Sequence, residues 1–416
     1  MLNENTNSMS AKKNIVFKDI NIITPYEYVN KKCVVVEGNL IKGIYNNPDE
    51  ISMCIDADNM EIFEFKNKYL VPGFIDIHAH GANGVDCYSK TLEPWSLYNA
   101  ENGVTSYLPT LLTMPLKDMY ASVKNIIGQI EEGLEKPAVK SRVLGINMEG
   151  PYLNPKYGAQ NPEFNINIKK EDYEEIIKIT KGYLKIMTIA PELEGSVDLI
   201  RRLVEEGIIV SLGHSEANYD QTCIALENGA TLATHIFCVM GNNLEKDKGV
   251  EPTEIGEVLL IDDKVYAELM SDKEGVHVHK VFQKILFKCK GIEKIILITD
   301  TMSNAGYKPG KYVLPDGRSY KIEEGKDVLR LDSGKLLGGF FKLRDAVNNF
   351  KNATEISLID AIKTVTINPA RLLGIDDKLG SIEPGKYADI NIVDENLNVY
   401  LTMVGGNIVF KNSSVH

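Results

Sequence analysis

Six side chains with metal-binding chemistry stand at the ends of short apolar runs in this chain. His78 and His80 follow VPGFIDI, and the others lie in GINMEGP, IIVSLGHS, ATLATHIF and IILITD. The six residues are His78, His80, Glu149, His214, His235 and Asp300. The chain of 416 residues has seven histidines in all, so their placement is informative. A spacing of two sets both imidazoles of the first pair on the same side of a strand.

Imidazole nitrogens combined with carboxylate oxygens point to a hydrolytic metal centre. They are ligands of Zn²⁺, Fe²⁺ or Mn²⁺ in such sites, where one coordination position stays open for water. A bound divalent metal lowers the pKa of water to roughly 7 and so supplies hydroxide at neutral pH. Taken singly, each histidine could be a packed core residue, Glu149 a salt-bridge residue and Asp300 a helix N-cap. The repeated position favours the metal centre.

The surrounding elements predict a (β/α)8 barrel of the α/β class. Eight apolar runs are separated by helical patterns such as SVDLIRRLVEEG and HKVFQKILFKCKG. The runs cover residues 71–77, 104–112, 142–147, 184–189, 207–212, 230–234, 264–270 and 294–299. In a TIM barrel the carboxyl ends of the strands build the active site. We therefore expect the six residues to meet in one pocket, joined by His277 and His279 after the seventh run.

The two ends of the chain differ from its middle. Residues 1–70 and 379–416 contain short, β-branched, alternating segments with glycine turns, which predict one small composite β-sandwich domain. In this prediction residues 71–378 form the metal-dependent hydrolase barrel. Residues 306–334 carry several glycines between alternating segments, which predicts a hairpin excursion after the eighth strand.

Composition narrows the partners and the compartment. Lys and Arg number 46 against 58 Asp and Glu, and the net charge of −12 excludes nucleic acid as a main partner because phosphate binding needs a concentrated positive surface. No apolar run reaches the roughly 18 residues of a membrane span, and the first 14 residues lack a signal-peptide core. Six cysteines without a CxxC pair favour a reducing cytoplasm. We expect a cytoplasmic protein with no membrane contact.

Several longer motifs carry a family resemblance. VPGFIDIHAHG, MEGPYLNPKYGAQNP, LGHS, ATHIF and LITDTMSNAG resemble those of the amidohydrolase superfamily and, within it, of the N-acetylglucosamine-6-phosphate deacetylase family. The resemblance covers nearly the whole chain and includes GSIEPGKYADINIVD near the end. It implies a barrel enzyme that uses a divalent metal to hydrolyse the acetamide of an amino sugar.

The resemblance also implies roles for single residues. The implied metal ligands are Glu149, His214 and His235 for a first ion, and His78 and His80 for a second. Because some members hold one ion and others two, we expect one or two ions of Zn, Fe or Mn. Asp300 is implied as the residue that takes a proton from the attacking water and later delivers it to the leaving amine.

A substrate-binding set and a homodimer follow from the same resemblance. The implied set is Ala159, Gln160, Cys238, Val239, His277, Leu336, Leu337 and Gly338. Gln160 is implied beside the acetamide oxygen and His277 near the phosphate. Leu336 to Gly338 correspond to a loop that closes over the substrate.

Two departures from the family pattern affect the substrate rather than the chemistry. The segment Cys-Val-Met at 238–240 replaces Asn-Ala-Met, and Val250 stands where an arginine usually binds the substrate phosphate. Lys246 and Lys248 either replace that charge or are solvated loop residues. The main interpretation is hydrolysis of N-acetylglucosamine 6-phosphate or a close N-acetyl amino sugar. The alternatives are an amidohydrolase for a different N-acyl substrate, with or without a phosphate, and a non-catalytic scaffold.

Overall fold

The computed structural model describes residues 14–52, 59–134, 138–241, 255–314 and 317–413. Its strands are β1 (Asn14–Ile23), β2 (Tyr28–Glu37), β3 (Leu40–Tyr45), β4 (Met60–Glu64), β5 (Tyr69–Pro72), β6 (Phe74–Ala79), β7 (Gly81–Ala82), β8 (Val85–Asp86), β9 (Val104–Leu111), β10 (Arg142–Val143), β11 (Ile146–Glu149), β12 (Leu184–Ile189), β13 (Ile209–Leu212), β14 (Leu232–Ala233), β15 (Tyr266–Leu269), β16 (Ile295–Leu297), β17 (Gly310–Val313), β18 (Ser319–Ile322), β19 (Val328–Leu331), β20 (Leu336–Gly339), β21 (Ile390–Val393), β22 (Val399–Val404) and β23 (Asn407–Lys411).

The helices lie between most of these strands. They are α1 (Pro48–Ser52), α2 (Glu93–Glu101), α3 (Leu116–Leu134), α4 (Lys170–Thr180), α5 (Ser196–Glu205), α6 (Tyr219–Glu227), α7 (Ile255–Ile261), α8 (Lys280–Lys290), α9 (Leu343–Thr354), α10 (Leu358–Lys363) and α11 (Ile367–Leu372). Two short 3₁₀ turns cover Pro162–Phe164 and Ile292–Lys294. Among the described residues, no helix is both long enough and apolar enough to cross a bilayer.

A parallel sheet of eight strand positions confirms the predicted barrel. Its order is β6, β9, β11, β12, β13, β14, β15 and β16, with the short β10 also paired to β9. Every residue of β6 and β9 is buried, as expected for strands covered on both faces. The backbone N–H of Asp300 donates to the His78 carbonyl at 2.9 Å and that of His80 to the Thr301 carbonyl at 2.8 Å, so the chain after β16 returns to β6 and nearly closes the barrel.

The separate β-sheet unit is built from both ends of the chain, as expected. Its order is β23, β22, β21, β5, β1, β2 and β3, with β4 beside β1. Both edge strands of this sheet contribute to one apolar cluster, since Ile41 of β3 belongs to it and Ile408 of β23 packs against it, so the sheet curls around its own core. The domain boundaries at residues 70 and 378 stay a prediction.

The first apolar run of the sequence divides between the two units. Residues 69–72 form β5 in the β-sheet unit, and the barrel strand β6 begins at Phe74. Gly73 separates them, and a Cβ there would lie 2.1 Å from the Thr105 hydroxyl oxygen. Glycine is therefore required, because the backbone passes this close to the next barrel strand.

A partly buried ion pair joins the two units. Arg142 Nη1 donates to Asp389 Oδ2 at 2.8 Å and Nη2 to Oδ1 at 3.2 Å. Asp389 also accepts from the Gly405 backbone N–H at 2.8 Å, so its carboxylate is well satisfied. This bidentate pair links β10, which precedes the third barrel strand β11, to the residue immediately before β21.

The excursion after the eighth strand is a four-stranded antiparallel sheet rather than one hairpin. Strands β17 to β20 pair in sequence order and extend to Gly339, beyond the predicted end at residue 334. Tyr320, Ile322 and Leu337 belong to its apolar cluster, and Ala159 and Met302 pack against it. The sheet thus covers the carboxyl end of the barrel.

Candidate active site

The barrel brings all six strand-end residues together. His78 lies on β6, with His80 just beyond its end, and Glu149 ends β11. The other three follow β13, β14 and β16 by two or three residues. Asp300 is about one-eighth exposed and the remaining five side chains are almost fully buried. Chain segments distant in sequence therefore contribute to one polar cluster inside the carboxyl end of the barrel.

Three of these residues adopt left-handed backbone conformations. The φ angles are 49° for His214, 26° for His235 and 49° for Asp300. Residues other than glycine rarely adopt this region, and such strain collects at functional sites where the surroundings over-determine the conformation. At each position the strand has ended and the chain turns sharply, while the side chain remains in the cluster.

One group of donor atoms consists of Glu149, His214 and His235. Glu149 Oε1 lies 2.6 Å from His214 Nε2 and 2.9 Å from His235 Nε2. The two Nε2 atoms are 3.2 Å apart. Donors about 2.1 Å from one tetrahedral ion stand about 3.4 Å from each other. The spacing of the three donors is therefore close to that of ligands sharing one divalent ion.

A second group of donors meets the other oxygen of Glu149. His80 Nε2 is 2.9 Å from Asp300 Oδ1 and 3.3 Å from Glu149 Oε2. His78 Nε2 is 3.7 Å from Asp300 Oδ1 and 3.9 Å from Glu149 Oε2, and it is buried without a hydrogen-bond partner. A buried imidazole nitrogen set between two carboxylates is suited to bind a divalent cation.

The opposite ring nitrogens explain why the Nε2 atoms face this centre. His80 Nδ1 lies 2.9 Å from the Thr110 carbonyl, and His214 Nδ1 lies 3.3 Å from the Tyr157 carbonyl. His78 Nδ1 lies 2.9 Å from Glu268 Oε2. Carbonyl and carboxylate oxygens only accept, so each Nδ1 carries the proton and donates it. Each Nε2 then keeps the lone pair that binds a metal, the arrangement typical of metal-ligating histidines.

Sequence reasoning missed two buried carboxylates beneath the cluster. Glu268 on β15 accepts from His78 and, at 3.2 Å, from the backbone N–H of His235. Asp76 on β6 accepts from the Thr299 hydroxyl at 2.6 Å, and burial raises its pKa to about 6. Strand periodicity could have found Asp76, since it lies two residues before His78 and so faces the same side. Glu268 interrupts an apolar run, and this was the one feature of the sequence that could have marked it as a functional residue.

Carboxylates and imidazoles shift each other's pKa. Burial lowers the pKa of His80, but its hydrogen bonds to Asp300 and Glu149 raise it to about 9. Burial raises the pKa of Asp300, but the hydrogen bond from His80 and the imidazole charges hold it below its usual value. Burial also raises the pKa of Glu149. The neighbouring imidazoles, chiefly that of His214, outweigh burial and hold this pKa well below its usual value. Protons and a divalent cation would therefore compete for the same nitrogens.

A cavity of about 620 Å³ opens onto this cluster. It is lined by five of the six residues, all except His78. It is also lined by the whole set that the resemblance implied for the substrate: Ala159, Gln160, Cys238, Val239, His277, Leu336, Leu337 and Gly338. The volume is in the range of small-molecule sites and accommodates one monosaccharide.

Two polar side chains in this lining have unsatisfied atoms. Gln160 Oε1 accepts from the Thr113 backbone N–H at 2.8 Å, while its Nε2 is buried without a partner. His277 Nδ1 lies 3.2 Å from Asp272 Oδ2, and its Nε2 is also buried without a partner. Buried polar atoms of this kind are costly unless a ligand satisfies them. Both are suited to contact a polar substrate.

Strand β20 lies directly against the proton-transfer candidate. The Gly339 N–H donates to the Asp300 carbonyl at 2.9 Å, and a Cβ on Gly338 would lie 2.5 Å from that carbonyl oxygen. Gly338 also has a φ of +111°, which residues with a side chain rarely adopt. The four-stranded sheet is therefore fitted closely over the cluster.

The expectation for His279 was wrong, and some residues lie outside the described part. His279 is exposed and caps α8, where its Nδ1 accepts from the Val281 N–H at 3.3 Å. Lys246, Lys248 and Val250 lie outside the described residues. Conversely, the sequence did not single out Arg318, which lines the cavity from the turn between β17 and β18.

The barrel and the histidine–carboxylate cluster at its carboxyl end define a metal-dependent hydrolase of the TIM-barrel class. Residues 294–409 match the model of the amidohydrolase family. The chain is 33% identical to the N-acetylgalactosamine-6-phosphate deacetylase of Escherichia coli O157:H7 over 86% of this chain and 93% of that protein. It is also 33% identical to the N-acetylglucosamine-6-phosphate deacetylase of Bacillus subtilis (strain 168), over 96% and 98%.

A solved structure agrees with these relatives over the whole length. The N-acetylglucosamine-6-phosphate deacetylase of Pasteurella multocida superposes with a TM-score of 0.84 at 30% identity, covering 96% of this chain and 100% of that one. The chain therefore belongs to the amidohydrolase family and, within it, to the family of N-acetylglucosamine-6-phosphate deacetylases.

Proposed function

We propose that the protein hydrolyses the acetamide of N-acetylglucosamine 6-phosphate, or of a close N-acetyl amino-sugar phosphate, to acetate and the free amine. The observation that carries the proposal is the shared carboxylate of Glu149, with one oxygen against His214 and His235 and the other facing His78 and His80. The relatives named for these two substrate epimers support the substrate class.

The residues present fit a divalent metal, and we propose Zn²⁺ as the resident ion, with Fe²⁺ or Mn²⁺ as alternatives. Glu149, His214 and His235 would hold the first ion, and His78 and His80 would contribute ligands to a second. When bound, the metal supplies an activated water and a Lewis acid for the carbonyl oxygen. The mixed nitrogen and oxygen donors support this group of metals over Ca²⁺ or Mg²⁺, which prefer oxygen ligands.

Asp300 acts as general base and then as general acid. Its lowered pKa keeps it ionised at neutral pH, so it accepts a proton from the attacking water. The same carboxyl group then delivers that proton to the leaving amine. His80, 2.9 Å away, orients the carboxylate through Oδ1.

The cavity residues position the sugar. Gln160 donates its Nε2 hydrogens to the acetamide oxygen, and His277 binds the far side of the sugar through Nε2. Backbone and side chains of Ala159, Cys238 and Val239 line one wall. Leu336, Leu337 and Gly338, carried by the sheet over the cluster, close the other wall and exclude water.

We further propose a homodimer in the cytoplasm. Val281, Phe282 and Ile285 project an exposed apolar face from α8, and Ile261 at the end of the neighbouring α7 is 71% exposed. Apolar surface of this kind supports association with a second copy. A charged phosphosugar does not cross a bilayer unaided, which supports action where such substrates are made. Light scattering on the purified chain tests the dimer.

The test of function is a substrate panel on protein reconstituted separately with Zn²⁺, Fe²⁺ and Mn²⁺. Acetate release is measured with the 6-phosphates of N-acetylglucosamine, N-acetylgalactosamine and N-acetylmannosamine, and with the free sugars. We expect metal-dependent release with at least one phosphosugar. Equal or faster hydrolysis of the free sugars would replace the phosphosugar assignment by an unphosphorylated substrate. A chain unable to acquire metal would favour the scaffold.

A further inference from the structure

The backbone turn at His214 must be held by its surroundings. His214 has a φ of 49°, which residues other than glycine rarely adopt. Such a conformation persists only where neighbouring contacts over-determine it. The turn lies between β13 and α6, and it sets the direction in which the imidazole leaves the chain. The contacts that fix this turn therefore help to decide where His214 Nε2 stands in the donor cluster.

Glu192 is the acceptor at the centre of these contacts. It follows β12, the fourth barrel strand, by three residues. Its Oε2 accepts from the Ser215 hydroxyl at 2.6 Å. Its Oε1 accepts from the Glu216 backbone N–H at 2.8 Å and from the Asn154 side-chain amide at 2.9 Å. One half-buried carboxylate thus joins the two residues that follow His214 to the loop after β11.

The loop after β11 holds His214 from the other side. The Asn154 backbone N–H donates to the His214 carbonyl at 3.0 Å, and the Tyr157 carbonyl accepts from His214 Nδ1 at 3.3 Å. Asn154 Oδ1 also accepts from the Lys156 N–H at 3.0 Å, so the Asn154 side chain orders the turn that carries the Tyr157 carbonyl. Glu192 therefore acts on His214 twice, directly through the next two residues and indirectly through Asn154.

We propose that Glu192 is a positioning residue that fixes the turn at His214 and thereby raises the affinity of the first metal site. This rests on the proposed function. A carboxylate only accepts hydrogen bonds, which suits a position where three donors converge, and bonds to a charged acceptor are the stronger ones. Among the described residues that line the cavity, Glu192 is absent, so it acts through His214 rather than on the substrate. Replacing partners that orient metal ligands commonly changes metal affinity.

The test measures the metal affinity of wild type, Glu192→Ala and Glu192→Gln. Each protein is loaded with one equivalent of Zn²⁺ and titrated with a chelator of known affinity. We expect Glu192→Ala to lower the affinity by roughly 10- to 100-fold, because three donors lose their acceptor and the turn at His214 is released. Glu192→Gln keeps one oxygen in the place of Oε1, so it should retain most of the affinity.

Glu194→Ala is the matched control, because Glu194 is exposed in the same loop and carries the same charge. Its Zn²⁺ affinity should equal that of the wild type. Chemical unfolding of the metal-free proteins separates positioning from a purely structural role. If Glu192→Ala is less stable without metal but binds Zn²⁺ as tightly as the wild type, Glu192 is only structural and the proposal is overturned. An equal loss of affinity in Glu194→Ala would mean a general charge effect and would overturn it too.

Ser215→Ala provides a milder variant that cuts one bond between Glu192 and the turn. We expect it to lower the Zn²⁺ affinity by roughly 2- to 10-fold, and an unchanged affinity would overturn the proposal even if Glu192→Ala does not fold. Ser215 Oγ also accepts from the Ala217 N–H at 2.9 Å, and this bond is lost in both backgrounds of a double-mutant cycle. The effects of Glu192→Ala and Ser215→Ala on affinity should therefore be less than additive, whereas full additivity would contradict the proposal.

Failure of this inference is distinguishable from failure of the proposed function. If wild type acquires no Zn²⁺, Fe²⁺ or Mn²⁺, the metal centre and the proposed function fail together. If wild type binds Zn²⁺ and Glu192→Ala binds it equally well, only the role of Glu192 fails. The affinity is measured without substrate, so the result does not depend on which amino sugar the protein hydrolyses.

Discussion

Glu268→Gln is expected to weaken metal binding at the pair His78 and His80 without disturbing the fold. Glu268 is 1% exposed, and its Oε2 accepts both from His78 Nδ1 at 2.9 Å and from the His235 backbone N–H at 3.2 Å. Glutamine has nearly the same shape but no charge. It keeps one acceptor oxygen and replaces the other by a donor.

The size of the effect follows from these contacts. A hydrogen bond to a charged group contributes about 1.5–3 kcal/mol and a neutral one about 1 kcal/mol, so losing the charge costs about 0.5–2 kcal/mol. That corresponds to a decrease in metal affinity of roughly 2- to 30-fold, which reaches into the range seen when partners of metal ligands are changed. Glu268→Ala loses both contacts and leaves two buried donors unsatisfied, so its effect should be larger.

The dependence on pH separates this mechanism from general damage. Burial lowers the pKa of His78. The neighbouring carboxylates, chiefly the charge of Glu268, outweigh burial and raise this pKa well above its usual value. In wild type, a proton on His78 therefore competes with metal binding up to a higher pH than it does in Glu268→Gln. The difference in affinity between the two proteins should be largest at high pH and should shrink as the pH falls.

The assay is competition with a chelator of known affinity, followed by elemental analysis of dialysed protein at several pH values. Glu293→Gln is the control, because Glu293 lies in the turn before β16 at the opposite end of the barrel and also pairs with cations there. Metal affinity in Glu268→Gln equal to that of the control at every pH would refute the reasoning.

Three further predictions concern proton transfer and stability. Asp300→Asn should retain metal in elemental analysis but lose turnover by roughly 10²–10⁴-fold, and full activity would remove it from the mechanism. Arg142→Met should lower the free energy of unfolding, measured by chemical denaturation, by about 3 kcal/mol, because Asp389 is left buried without its cation. The double variant Arg142→Met, Asp389→Asn should recover part of that loss. Burial lowers the pKa of Lys290 to about 8, so between pH 8 and 10.5 the unfolded chain binds more protons than the folded one and the free energy of unfolding should rise with pH. Lys290→Met should lack this rise. Parallel pH profiles of unfolding free energy for wild type and variant would contradict the prediction.

The strand-end residues could be predicted because barrel topology turns sequence position into spatial position. Residues such as Glu149 and His235 are 86 positions apart, yet both stand at the carboxyl end of a parallel strand and so meet at one end of the barrel. Glu268 could not be assigned in this way. It lies within β15, and whether it faces the cluster depends on the register of that strand against its neighbours, which its local sequence does not specify.

Two other features depended on contacts that sequence patterns do not contain. Residues 71–75 are apolar and all buried, so no polarity change marks the passage at Gly73 from one sheet to the other. Arg318 stands in a turn of ordinary composition. Its relation to the cavity arises only when the four-stranded sheet packs on Ala159, far away in the chain.

The sharing of Glu149 connects the number of ions to the proton-transfer step. Because Oε1 faces one donor group and Oε2 the other, an ion in the first group would withdraw negative charge from the second group and would lower its affinity for a further cation. Asp300 belongs to that second group through Oδ1, which already pairs with His80. A second ion held by this group would therefore compete with the role of Asp300 as a base, whereas His80 alone orients the Asp300 carboxylate through Oδ1.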